Sequence, residues 1–351
     1  MRKITASLAM VAILAVTGMA EAGGYTVTNL GSGGAYAINS KGQIVGSNAN
    51  GYAVLFSNGT ATDLGWYNNT LGTGTNFIKT TMTINNSNQV VGTSYNSGVY
   101  SALLFDNGTV TNLGANLGNN SWATSINDLG QVVGKANGMA TLYSNGTVTT
   151  LGTLGGTKGK ADCITNSGQI VGASSTIGDT EQHATLWNNG TVTDLGTLGG
   201  THSTAYNIND AGQAVGYSTI SGDITHHAAL YSNGTVTDLG TLGGSNSVAN
   251  IINNKGQVVG NFTTADGSTT HAALWSNGTA IDLNSLVNAA SGWVLLSAND
   301  INDSGQIVGN GIFNGQKEAF LLTPTPIPAA AWLMGSGLIG LLGFRRKQNN
   351  L

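Results

Sequence analysis

Cysteine, proline and charge are all scarce in this chain, and each shortage excludes something. Cys163 is the only cysteine, so no intramolecular disulfide can form. The three prolines, Pro324, Pro326 and Pro328, stand together, which marks a stiff linker there and leaves everything before them without proline. Charged residues make up 8% of the chain. Between Gly23 and Thr323 there is no arginine, and seven lysines face fifteen acidic residues, a net charge of −8. Phosphate recognition uses clustered Arg and Lys, so nucleic acid is not an expected partner. Long apolar runs are confined to the two ends, and nothing between them reads as a helix.

What the chain does have is a repeat. The stretch Ile208-Asn209-Asp210-Ala211-Gly212-Gln213-Ala214-Val215-Gly216 has near copies beginning at Ile38, Ile84, Ile126, Ile164, Ile252 and Ile301. Its glutamines, Gln43, Gln89, Gln131, Gln169, Gln213, Gln257 and Gln306, are separated by 46, 42, 38, 44, 44 and 49 residues. That period suits a four-stranded propeller blade. Each copy reads as strand, tight turn, strand, because β-branched pairs such as Val258-Val259 follow an Asn/Asp/Gly cluster. A composition rich in Asn, Gly, Ser and Thr can signal disorder, but the recurring apolar positions argue for a packed body.

One repeat, taken in order, gives four strands. Strand a runs from about Ala205 to Asn209, strand b from Gln213 to Tyr217, strand c from Ala228 to Tyr231 and strand d from Thr235 to Leu239. Strands c and d are joined at Asn233-Gly234, the dipeptide favoured in two-residue type I′ hairpins because both residues tolerate positive φ. Each such Asn-Gly is followed by Thr, and the turn alone accounts for the resulting sequons. A seventh copy of strand d, Tyr25 to Gly31, stands before any strand a, while the last repeat ends at its strand c, Ala319 to Leu322. The two deficits match. The expectation is an all-β fold, a seven-bladed β-propeller of four-stranded blades over residues 23–323, with the ring closed by the N-terminal strand.

Spacing separates the two ends of such blades. The a-to-b and c-to-d distances are constant, whereas the b-to-c and d-to-a connections vary in length. Binding residues favour loops on a rigid scaffold, so the irregular end is the candidate face, with Trp66, Tyr67, Trp122, Asp223, His226 and Trp293 as its distinctive side chains. Aromatic residues there can stack on sugars or fill a partner's pocket, or they can cap the blade ends. Trp187 and Trp275 share a strand c position with Phe56, Phe105, Tyr143 and Tyr231 and read as core.

Residues with catalytic or metal-binding chemistry are few. His183, His227 and His271 recur every 44 residues, but equivalent points on neighbouring blades are too far apart to share an ion and no carboxylate recurs beside them. They read as packed strand-edge histidines. Gly155 to Lys160 lacks the spacing of a phosphate loop and reads as a turn. Asp128, Asp210 and Asp303 fall in the a-b turn, where Asp and Asn bond their own backbone. Cys163 reads as a small packed side chain. No metal, no cofactor and no catalytic residue is expected, and the chain does not read as an enzyme.

The two ends have their own logic. Residues 1–22, with Arg2 and Lys3, an apolar run and Ala20-Glu21-Ala22, read as a secretory signal peptide. Residues 329–344 carry no charge and are followed at once by Arg345-Arg346-Lys347, which predicts a hydrophobic transmembrane helix with its basic end in the cytoplasm. The whole segment 324–351, with Pro326 and Pro328, the Gly-punctuated apolar run and then Arg345 and Arg346, resembles a PEP-CTERM sorting signal of the VPLPA type, with Thr325 where that type usually has Val. The resemblance implies a Gram-negative bacterium, processing by signal peptidase and an exosortase, transient anchoring in the inner membrane, and delivery to the cell surface or the extracellular medium. A permanent anchor needs the same insertion and differs only in the fate of the tail.

The body also resembles the HAF family of extracellular repeats. His183-Ala184-Thr185-Leu186-Trp187, His227-Ala228-Ala229-Leu230-Tyr231 and His271-Ala272-Ala273-Leu274-Trp275 carry the resemblance together with the nine-residue box, while Tyr52, Ser101, Met139 and Glu318 replace the His elsewhere. This implies an exported repeat protein and supplies no catalytic residues. The expected role is a non-catalytic binding or structural component of the surface or matrix, with exopolysaccharide or a surface protein as partner. The alternative is a secreted propeller hydrolase or lyase acting on polysaccharide, which should gather acidic or His residues at one mouth of the ring.

Overall fold

The computed structural model describes residues 24–57, 59–64, 76–77, 82–96, 98–114 and 120–325. The leader 1–22, the apolar run 329–344, Pro326, Pro328, Arg345, Arg346, Trp66 and Tyr67 lie outside the described residues. Among those described the regular elements are strands, apart from two short 3-10 turns at Leu283–Leu286 and Ala289–Ser291. No helix among them is long and apolar enough to cross a membrane.

The nine-residue box makes the local structure. Asn39 Oδ1 accepts the backbone N–H groups of Lys41 and Gln43 at 3.1 and 2.9 Å, and Asn39 Nδ2 donates to Gln43 Oε1 at 2.8 Å. One side chain therefore satisfies the turn and fixes the glutamine. Asn85, Asn127, Asn209, Asn253 and Asn302 repeat the arrangement with Gln89, Gln131, Gln213, Gln257 and Gln306. The box's last glycine answers a different need. In strand a the pairing register slips by one residue, between Ala205 and Asn207 in the fifth repeat, and this β-bulge drives a carbonyl toward strand b. A Cβ on Gly216 would collide with the Thr204 carbonyl oxygen, and Gly46, Gly134, Gly172, Gly260 and Gly309 meet the same obstacle.

The strands assemble as repeat units. Gly199–Ile208, Ala214–Ile220, His226–Ser232 and Thr235–Asp238 pair antiparallel in sequence order, and the other repeats follow that plan. In the second repeat strand a is split into Asn76–Phe77 and Thr83–Ile84, both against Val90–Asn96. In the seventh, Trp293–Ile301, Ile307–Phe313 and Gln316–Pro324 are completed by Tyr25–Gly31, which lies beside Gln316–Pro324. The strands form separate sheets rather than one sheet closed on itself, and a single parallel pairing, Gln182 with His202, bridges the fourth and fifth repeats. All-β sheets of this kind, with the first strands of successive repeats in contact, fit a β-propeller.

The apolar cores lie between neighbouring sheets. Val91 and Ala102 of the second repeat pack with Ala123, Ile126, Val132 and Tyr143 of the third. Ala35, Ile38 and Ile44 of the first repeat pack with Val308 and Ala319 of the seventh. Trp187, Trp275, Tyr143 and Tyr231 are buried as expected, and the Trp187 indole N–H donates to Gly152 O at 2.7 Å. This packing belongs to the unit Val27–Leu322; the described residues outside it are joined by the Thr325 N–H, which donates to Gly24 O at 2.9 Å.

Three sequence readings are corrected. Gly155 to Lys160 is not a turn but the first part of the strand Gly155–Ile164, because the Asp179 carboxylate receives both the N–H and the hydroxyl of Thr157 and pins the segment to the b-c turn. Asp128 does not serve its own backbone. It accepts the Asn86 N–H at 2.8 Å, and Asp303 likewise accepts the Asn254 N–H at 2.8 Å, so these turn carboxylates tie one repeat to the next. The third correction concerns the histidines. A carboxylate does recur beside them: Asp194, Asp238 and Asp282 meet the Nδ1 atoms of His183, His227 and His271 at 2.8, 2.7 and 2.7 Å.

Candidate functional site

The bulge in strand a re-aims the residue two places before the box isoleucine, so that it leaves the alternation of the sheet core. That position holds Tyr36, Thr124, Asp162, Tyr206, Asn250 and Asn299; in the second repeat, where strand a is split, Met82 stands there and stays in the core. Near it, toward the irregular end of the blades, the second to fifth repeats carry an arc of half-buried aromatic and charged side chains. Tyr95 and Tyr100 lie 4.8 Å apart between ring centroids, and Tyr100 stacks on Trp122 at 4.7 Å with the planes 27° apart. The ammonium of Lys135, paired with Trp122 across strands a and b, sits 5.8 Å from the indole centroid. In the fourth repeat Lys160 forms an ion pair with Asp162, and the charge of Lys135 also acts on that carboxylate.

The fifth repeat extends the arc. Tyr206 feels the Asp162 carboxylate and packs on Tyr217 at 5.7 Å, and Tyr217 meets His226 edge-on at 5.4 Å. Burial is the main influence on the titrating groups. It pushes the Asp162 carboxyl up against the pull of Lys160, raises the Tyr206 phenol, and lowers the His226 imidazole with help from His227. The result is a run of ring faces and edges interleaved with two ammonium groups and one carboxyl. Such a surface suits ligands that offer both apolar faces and hydroxyl groups.

The expected site residues fare differently. Trp122 and His226 belong to the arc. Asp223, in the b-c turn of the fifth repeat, is exposed but occupied: its carboxylate receives the Thr219 hydroxyl at 2.6 Å and the Thr201 N–H at 2.7 Å, and these bonds hold its pKa down. Its task is to pin a loop. Trp293 is 9% exposed and packs against Phe313 at 5.1 Å and Phe320 at 5.9 Å, which is the capping alternative. The four lie in three different repeats.

The His-Asp pairs are cross-strand clamps. In each, one carboxylate oxygen meets the imidazole while the other accepts the N–H two residues on, as Asp238 does from Gly240 at 2.7 Å. Among the described residues no three His, Cys, Asp or Glu side chains come together as a metal site. Cys163 is buried between repeats and receives Asn207 Nδ2 at 3.2 Å; burial raises its thiol pKa, with Asp162 and Asp300 adding to the shift.

Sequence reasoning missed Tyr95, Tyr100, Lys135, Lys160, Asp162, Tyr206 and Tyr217. One signal was present. In a chain that repeats so closely, the position two before the isoleucine varies from copy to copy, which singles that column out.

No protein-family model and no curated protein matches the chain. Among solved structures it is similar to TolB from Acinetobacter baumannii, with 13% identity and a TM-score of 0.44 over 83% of this chain and 63% of that one. It is also similar to dipeptidyl peptidase 4 from Porphyromonas gingivalis, with 10% identity and a TM-score of 0.40 over 80% of this chain. The chain spans 63% and 44% of the lengths of those two proteins.

Proposed function

We propose that the seven repeats are the blades of a closed seven-bladed β-propeller, and that this body is an exported, non-catalytic glycan-binding component of a bacterial surface or extracellular matrix. Closure is supported by Asn302, whose Nδ2 donates to Asn39 O, and by Asp300 of the seventh repeat, whose charge acts on Cys163 of the fourth, as expected if both face a common axis. Export rests on the leader and on the PEP-CTERM resemblance of the tail, with an exosortase as processing partner. The observation that carries the binding role is the arc from Tyr95 to His226, where stacked rings alternate with polar groups.

The competing reading is a polysaccharide hydrolase or lyase, which would draw on Asp162 and His226 in the same arc. Calorimetric titration with the host's exopolysaccharide, followed by analysis for released ends, separates the two. Saturable binding lost in Trp122→Ala, with the polymer intact, supports the binding role. Progressive shortening of the polymer would replace it with the enzyme.

A further inference from the structure

Asp162 is a polar group of the arc whose bonding is incomplete. Its Oδ1 is paired with Lys160 Nζ, while Oδ2 is buried with no donor, and the side chain as a whole is 7% exposed. A buried acceptor without a donor is unfavourable, so its presence calls for a reason.

The fold does not require a carboxylate there. At the same position Thr124, Asn250 and Asn299 donate to backbone carbonyls of the next repeat, Ala161, Ala298 and Ala35, at 2.7, 2.8 and 2.7 Å. A carboxylate paired with a lysine has no proton to donate in that bond. The fourth repeat therefore gives up a link that three others use, and gains an acceptor paired with Lys160 and within the electrostatic reach of Lys135 and Tyr206. Local rules broken without structural gain are expected at functional positions.

Resting on the glycan-binding reading above, we infer that Asp162 is the specificity-determining acceptor of the arc: its Oδ2 receives a hydroxyl of a neutral sugar residue, while Lys160 and Lys135 donate to that sugar's oxygens. A uronate would bring a second carboxylate against Asp162. Lys160 already neutralises Asp162 and has little charge to spare for another anion. The ligand class is therefore a neutral, hydroxyl-bearing glycan.

The test titrates the full-length protein with cellohexaose, maltohexaose, mannohexaose and hexagalacturonate, then compares monodeoxy derivatives of the best neutral ligand. The expected result is a neutral preference, with one monodeoxy derivative bound about 10- to 100-fold more weakly than its parent, the value of a hydrogen bond to a charged group. Asp162→Asn should lose the same factor and no longer distinguish that derivative. Because the deoxy series is read on the unmodified protein, the test does not depend on how the variant folds. Monodeoxy derivatives that all bind within twofold of the parent, or a preference for hexagalacturonate, would overturn the inference while Trp122→Ala still tests the glycan reading. Failure of the protein to bind any of the four overturns both.

Discussion

Asn302 Nδ2 donates to the carbonyl oxygen of Asn39 across 3.2 Å, joining the last repeat to the first. The same bond joins Asn39 to Asn85 at 3.2 Å, Asn85 to Asn127 at 3.0 Å and Asn127 to Thr165 at 3.0 Å, then Asn209 to Asn253 at 3.2 Å and Asn253 to Asn302 at 3.1 Å. The fourth repeat interrupts the circuit, because Thr165 has no amide to offer Asn209.

That interruption is repairable. Thr165→Asn supplies the absent donor and should stabilise the protein by about 0.5–1.5 kcal/mol, the net worth of one hydrogen bond. Asn302→Ala removes donors and acceptors from a buried turn and should cost about 2–4 kcal/mol. Urea unfolding of both variants measures the pair; a neutral Asn302→Ala would show that the circuit carries no stability.

Asp300 gives the body a distinctive pH response. It is half-buried, and loss of water around its carboxyl pushes its pKa up to about 7 even though its carboxylate accepts the N–H groups of Ile38 at 2.8 Å and Ile301 at 2.7 Å. A carboxyl whose folded pKa exceeds its unfolded value binds its proton more tightly in the native state. Its contribution is therefore present in acid and is lost as pH rises from about 4 to about 7. At the fifth-to-sixth junction the neutral Asn207 accepts the Ile252 N–H in the same way at 3.1 Å. Asp300→Asn should thus match wild type near pH 4 and exceed it at pH 8, by an amount on the order of 2–4 kcal/mol. Denaturation midpoints at the two pH values check the sign, and a variant weaker at pH 8 would refute it.

Gly216 faces the bulged carbonyl of Thr204 with no room for a methyl group. Gly216→Ala should cost about 3 kcal/mol or more, whereas alanine at an unobstructed strand position in the same sheet should change stability by less than about 0.5 kcal/mol. Thermal unfolding distinguishes them.

Trp122 and Trp293 look alike in the sequence and should behave differently. Trp293 is sandwiched by Phe313 and Phe320, so Trp293→Ala should cost about 3–5 kcal/mol of stability. Trp122 is half-buried on the arc, so Trp122→Ala should weaken glycan binding at least tenfold with a smaller loss of stability. Parallel melting and binding titrations read both effects.

The sheet plan was legible because it is written in local chemistry. Asn-Gly turns, the Asn of the box and the pairing of Tyr25–Gly31 with an incomplete last repeat all follow from residues a few places apart or from counting strands. The site was only partly legible. Trp122 stood out by its type, but Asp162 and Tyr206 reach the arc through a bulge, which shifts the phase of the strand and cannot be seen in an alternating pattern. Asp128 and Asp303 resemble ordinary turn formers until the neighbouring repeat is in place. The His227-Asp238 pair was available as a spacing of eleven residues, since a hairpin brings such positions together.

On the proposed reading, closure of the seven repeats underlies both the position of the arc and the pairing of Tyr25–Gly31 with Gln316–Pro324. Small-angle scattering from residues 23–323 in solution tests it most directly. A closed body of that length should have a radius of gyration of about 19 Å. An elongated particle with a radius of gyration well above about 25 Å, far from the compact-domain value, would contradict it.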